Sequence, residues 1–139
     1  MARHRAGIPR PWLRPWNVFV NAWIAVRFTA EGWHHWPGAS GVREYLGAKH
    51  RHLFHVEARI PVGHDDREVE FHDLLDYARK EFGDGDFGAS SCEVLARNLA
   101  EKMARQYGRA CRVSVFEDGE VGSEVSLPNP SSSEPAGLA

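Results

Sequence analysis

The chemistry in this chain starts with two histidines one residue apart, His50 and His52. Residues 50–60, HRHLFHVEARI, alternate so that His50, His52, Phe54, Val56, Ala58 and Ile60 share one face of a strand, with Arg51, His55, Glu57 and Arg59 on the other. Both imidazoles therefore leave the same face with their Cβ atoms within about 7 Å. Zinc takes neutral imidazole nitrogens, and a catalytic site uses three protein ligands and keeps an open position for water or substrate. The third ligand must come from elsewhere in the chain. His34 and His35, in GWHHWPGA, follow the first strand in a loop able to fold back over its neighbour, and spacing alone does not choose between them. The competing reading is a hydrogen-bonded histidine pair with no metal.

Other chemistry-bearing residues are ambiguous. His55 faces away from the pair with Arg51 and Glu57, and His72, at the start of a helix, has no evident partner. His64, beside Asp65 and Asp66 in GHDD, is either a proton carrier or a turn residue. Cys92 falls near a helix N-terminus, where the dipole favours thiolate, but it also belongs to an apolar stripe; Cys111 reads as core. Glu93 follows Ser90 by three residues, as in a capping box. Glu117, with Asp118, closes a late strand, where a carboxylate can accept two N–H bonds from an amidine-like ring edge or simply serve a turn.

The elements that must position these groups are legible from periodicity. NVFVNAWIAVRFTA, residues 17–30, alternates Val18, Val20, Ala22, Ile24, Val26 and Phe28 against polar neighbours and predicts the first strand; residues 50–60 form the second. FHDLLDYARKEF spaces Phe71, Leu74, Leu75, Ala78 and Phe82 as a helix that stops near Gly83. Cys92, Leu95, Ala96, Leu99 and Met103 form the stripe of a second helix running to Tyr107 and Gly108. Cys111, Val113 and Val115 then alternate in a strand, and EDGE turns the chain into a short last strand, VGSEVSL. The order β-β-α-α-β-β predicts an α+β domain, a four-stranded antiparallel sheet with both helices on one face. Such a sheet leaves edges and a second face to cover, so self-association is expected.

Composition bounds the rest. The 139 residues suit one domain, and 42% apolar with 26% charged residues is ordinary for a globular chain. Residues 1–16 read as a flexible basic arm with Arg3, Arg5, Arg10 and Arg14, residues 17–126 as the domain, and residues 127–139 as a disordered tail rich in serine and proline. No stretch is long and apolar enough to span a bilayer, and the N-terminal arginines lack the apolar run of a signal peptide, so a cytoplasmic location is expected. A net charge of -2 argues against a general nucleic-acid binder. Two cysteines make no disulfide scaffold; both read as reduced and buried.

Taken together, several segments resemble the 6-pyruvoyltetrahydropterin synthase and 6-carboxytetrahydropterin synthase family. Phe28-Thr29-Ala30-Glu31-Gly32-Trp33-His34 is similar to that family's Phe-Ser-Ala-x-His, and His50-Arg51-His52 to its His-Gly-His pair. Val69 to Leu74 resembles its Val-x-Asp-Phe-x-x-Leu, Ser91-Cys92-Glu93-Val94-Leu95-Ala96 its Thr-Ser-Glu-Asn-Leu-Ala, and Val113-Ser114-Val115-Phe116-Glu117 its Val-x-Val-x-Glu. The resemblance runs in order over about residues 17–126. It implies a T-fold assembled as a homo-trimer or homo-hexamer, zinc held by His34, His50 and His52, and Glu117 gripping a pterin-like ring with Glu93 near the same pocket. It further implies a zinc-dependent lyase or synthase acting on a reduced pterin or a deazapurine precursor, as in queuosine biosynthesis. The pattern departs at three places. His34 lies two residues beyond the usual spacing, Glu44, Tyr45 and Leu46 stand where the family has a catalytic cysteine, and the Asp-His between the helices is missing. In such a divergent member Glu44 or His64 takes the role of base, or the protein binds metal and ring without catalysis.

Overall fold

The computed structural model describes residues 22–131; the N-terminal arm, the first residues of the predicted opening strand and most of the tail lie outside them. Alternation carries β1 from Ala22 to His34, beyond the Ala30 where the sequence pattern suggested an end. Its partner β2 runs from His50 to Val62, and the two strands pair antiparallel along their full length, from Ala22 opposite Val62 to His34 opposite His50. That pairing keeps Gly32 and His34 in strand geometry although a Gly-Trp-His-His stretch reads as a loop. His34 is thus a strand residue with the inward parity of Val26, Phe28 and Ala30. Between the strands a 3-10 turn of helix spans Gly41–Gly47, which the sequence patterns did not indicate.

Helix α1 covers Phe71–Phe82 and buries Leu74, Ala78 and Phe82; Glu70 caps it by accepting the His72 N–H, and Gly83 ends it with φ 73°. Helix α2 covers Cys92–Tyr107 and buries the predicted stripe, ending at Gly108 in the left-handed region. Its N-cap is Ser91, whose hydroxyl accepts the Val94 N–H, and not Ser90 as the capping-box spacing suggested. The one-residue shift releases the Ser90 carbonyl and the Glu93 carboxylate for other partners.

The sheet has five strands and is mixed, where four antiparallel strands were expected. A two-residue β3, Gly85–Asp86, pairs parallel with Gly32 and Trp33 at the end of β1. Two residues display no period, so this strand is invisible to patterning. Strands β4, Cys111–Glu117, and β5, Val121–Leu127, form the predicted hairpin, and β4 pairs with β2, giving the order β3-β1-β2-β4-β5. The whole is a small α+β domain, loosely T-fold-like, with both helices on one sheet face.

The core lies between that face and the helices, around Phe54, Ile60, Leu74, Leu99, Met103 and Val113. Edge-to-face contacts of Phe54 with Phe87 and of Phe28 with Phe82 close its end nearest the histidines. Gly32 leaves room for that packing, because a Cβ there would sit 2.3 Å from the Phe87 ring and displace it. No described residue covers the other face; Arg27, Glu57 and Arg59 pair across it, and Trp23 and Phe116 are partly exposed. No helix among the described residues is long and apolar enough to cross a membrane.

Candidate metal centre

The C-terminal end of β1 and the N-terminal end of β2 meet beside the start of α2 and the β4–β5 turn. Direct cross-strand pairing sets His34 against His50, and His52 follows two residues on along the same face. The three imidazoles form a nearly regular triangle, with ring centroids 4.7, 4.9 and 5.1 Å apart. Each ring offers one nitrogen, and these three atoms all lie within 4.8 Å of one another. His34, His50 and His52 are therefore a cluster capable of chelating a metal ion. Of the two adjacent histidines it is His34 that joins, because strand parity turns it inward.

The Nδ1 atoms determine which nitrogens converge. His34 Nδ1 lies 2.8 Å from the Ser90 carbonyl, His50 Nδ1 2.8 Å from the Ala48 carbonyl, and His52 Nδ1 2.7 Å from Asp118 Oδ2. A carbonyl or carboxylate oxygen only accepts, so each Nδ1 carries the proton and donates, leaving the Nε2 lone pair free. Fixing the outer nitrogen in this way is how proteins orient metal-binding histidines.

A cation fits what remains. His52 Nε2 is buried with no hydrogen-bond partner among the described residues. Glu117 Oε1 stands 3.1 Å from His34 Nε2, and Glu117 Oε2 is 3.5 Å from His52 Nε2. With both Nδ1 atoms donating outward, these are lone pairs facing lone pairs at close range. Such a contact is unfavourable unless positive charge, a proton or a metal ion, stands among them. The donor set of three neutral imidazoles with a neighbouring carboxylate suits zinc chemistry.

Asp118, to which the sequence pattern assigns no role of its own, holds this corner. Its backbone is left-handed, φ 53°, and its two oxygens take different donors, the His52 Nδ1–H and the Leu53 N–H at 3.0 Å. The hydrogen bond from His52, then that from Leu53, holds its carboxyl below the usual range. An acid in a tight turn one residue past Glu117 was the available signal; the Ser90 and Ala48 carbonyls left none, since every residue has one.

A cavity of about 280 Å³ opens beside the cluster. His34, His50 and Glu117 form one part of its wall, Cys92, Glu93 and Ser123 another, and Trp36 and Leu46 come from the loop between β1 and β2. Glu93 accepts a hydrogen bond from the Ser123 hydroxyl, which with Ser91 lowers its carboxyl pKa. Cys92 donates toward Glu117 Oε1 at 3.7 Å; burial, then the Glu117 charge, push its thiol up to about 12, so the helix N-terminus does not make it a thiolate. Glu93 and Glu117 are thus brought to the histidines. Glu44 and His64 are not: Glu44 lies exposed on the Gly41–Gly47 turn outside the cavity wall, and His64 follows the far end of β2. The run from His52 to Val62 alone spans about 33 Å at ~3.3 Å per residue.

A scan against protein-family models returned no match, and a search of curated proteins returned none either.

Proposed function

We propose that the cluster binds zinc and that the chain is a zinc-dependent enzyme of the lyase or synthase class. Its substrate in this reading is a reduced pterin or deazapurine precursor, as for a divergent relative of 6-pyruvoyl- and 6-carboxytetrahydropterin synthases. The observation that carries the metal is the buried Nε2 of His52, without a hydrogen-bond partner among the described residues, beside two other histidines whose Nδ1 protons are already spent. The ring follows from two carboxylates, Glu117 and Glu93, on the wall of a cavity that touches the metal ligands.

His34, His50 and His52 would hold the ion, which when bound supplies a Lewis acid for substrate oxygens and for lowering the pKa of a carbinol proton. The chain's own groups do the rest. Glu117 and Glu93 accept N–H bonds from the ring edge and so orient it toward the histidines. Ser123, by donating to Glu93, keeps that carboxylate ionised and aimed. Assembly as a homo-trimer or homo-hexamer in the cytoplasm belongs to the same reading, since the uncovered sheet face leaves Trp23 and Phe116 without partners from the helices.

A second reading, metal and ring binding without catalysis, is favoured by two observations: neither Glu44 nor His64 lines the cavity, and the Cys92 thiol on its wall is held protonated. Turnover separates the two. Zinc-loaded protein that converts a reduced pterin, and stops when a chelator is added, is the enzyme; zinc-loaded protein that binds pterin with no turnover is the binder.

A further inference from the structure

Trp36 is 53% exposed, yet it lines the cavity beside the three histidines. Its backbone is not loose. The Trp36 N–H donates to the Leu46 carbonyl at 2.8 Å, its carbonyl accepts the Ala39 N–H at 3.1 Å, and the preceding His35 N–H is tied to the Gly88 carbonyl at 2.9 Å. Pro37 restricts Trp36 to extended backbone. Gly38 then leaves space for the indole, since a Cβ there would come within 3.2 Å of its Nε1. The sequence Trp-Pro-Gly therefore holds a large flat side chain at the cavity mouth while leaving half of it wet. Gly122, also on the wall, has to be glycine, because a Cβ there would stand 1.9 Å from the Val115 carbonyl oxygen of the neighbouring strand.

We infer that Trp36 is the stacking residue of this cavity, and that the cavity selects a planar heteroaromatic ring whose N–H edge meets Glu93 and Glu117. The inference rests on the ring-binding reading given above and deepens it by naming what covers the ring face. Aromatic faces attract flat rings whatever their substituents, so the carboxylates set the orientation and Trp36 the requirement for planarity.

The test is binding of pterin-6-carboxylate to the zinc-loaded full chain, compared for wild type, Trp36→Phe and Trp36→Ala, with Trp23→Phe on the uncovered sheet face as control. Loss of one stacked aromatic weakens binding by roughly 5- to 150-fold. Trp36→Ala is expected to lose affinity in that range with zinc content and oligomeric state unchanged, and Trp36→Phe and Trp23→Phe to stay within about threefold of wild type. Unchanged affinity in Trp36→Ala overturns the stacking role and leaves the ring-binding reading standing. Zinc-loaded wild type that takes no pterin removes both. A Trp36→Ala protein that loses zinc or changes its assembly shows that the indole supports the loop or an interface instead, and Trp36→Phe as weak as Trp36→Ala excludes stacking.

Discussion

His52 and His55 sit on one strand, three residues apart, and both lie against the turn after β4, yet they are chemically unlike. His52, on the helix-covered face, gives its Nδ1 proton to Asp118 and keeps a buried Nε2 with no partner among the described residues. His55, on the uncovered face, lies against Gly119, close enough that a Cβ there would touch its ring. The same turn thus uses a carboxylate to aim one histidine and a bare backbone to accommodate the other. Spacing brings histidines together; an acceptor on the outer nitrogen and burial of the inner one turn them into ligands.

The contrast is broken most severely by truncation. His52→Ala should abolish stable zinc uptake, while His55→Ala should bind one zinc per chain as wild type does; elemental analysis after dialysis reads both. Equal zinc in the two variants would erase the distinction between the faces.

Glu117→Gln keeps size but replaces one acceptor oxygen with a donor. A charge-assisted bond to a ring N–H is lost, at about 1.5–3 kcal/mol, which is roughly ten- to a hundredfold in pterin affinity by calorimetry. Zinc is expected to stay. Unchanged affinity would return Glu117 to the role of a turn acid.

Asp118→Asn sharpens the contrast at its hinge. Two donors, the His52 Nδ1–H and the Leu53 N–H, need two acceptor oxygens, and an amide turns a donor toward one of them. Removing such an orienting partner costs about ten- to a hundredfold in metal affinity, measured by competition with a chromophoric chelator. Affinity equal to wild type would show that His52 needs no orienting partner.

The smallest effect belongs to the uncovered face. Arg27 pairs with Glu57 at 2.5 Å with its side chain mostly in solvent, so Arg27→Ala should cost under about 1 kcal/mol in denaturant unfolding and leave zinc untouched. A loss of several kcal/mol would mean that this face is covered in solution.

Much of this arrangement is legible in the amino-acid sequence. Alternation in residues 50–60 puts His50 and His52 on one face, and the stripe from Cys92 to Met103 describes α2 correctly. What escapes has physical reasons. Gly32 looks like the end of a strand, although its missing Cβ leaves room for the Phe87 ring beside the sheet, and so the inward parity of His34 is hidden. Ser90 and Ser91 are equally good caps by type; only the fold decides that Ser91 binds the Val94 N–H. The acceptors that orient His34 and His50 are backbone carbonyls, which no residue type announces. Glu44 and His64 suit proton transfer by type, but pattern alone gives no distance between them and the histidines.

The most direct test of the central claim, that His34, His50 and His52 hold one metal ion, is zinc stoichiometry of the full chain after stripping with a chelator, resupply of zinc and exhaustive dialysis. The account predicts one zinc per chain. A folded chain that remains metal-free under those conditions would contradict it.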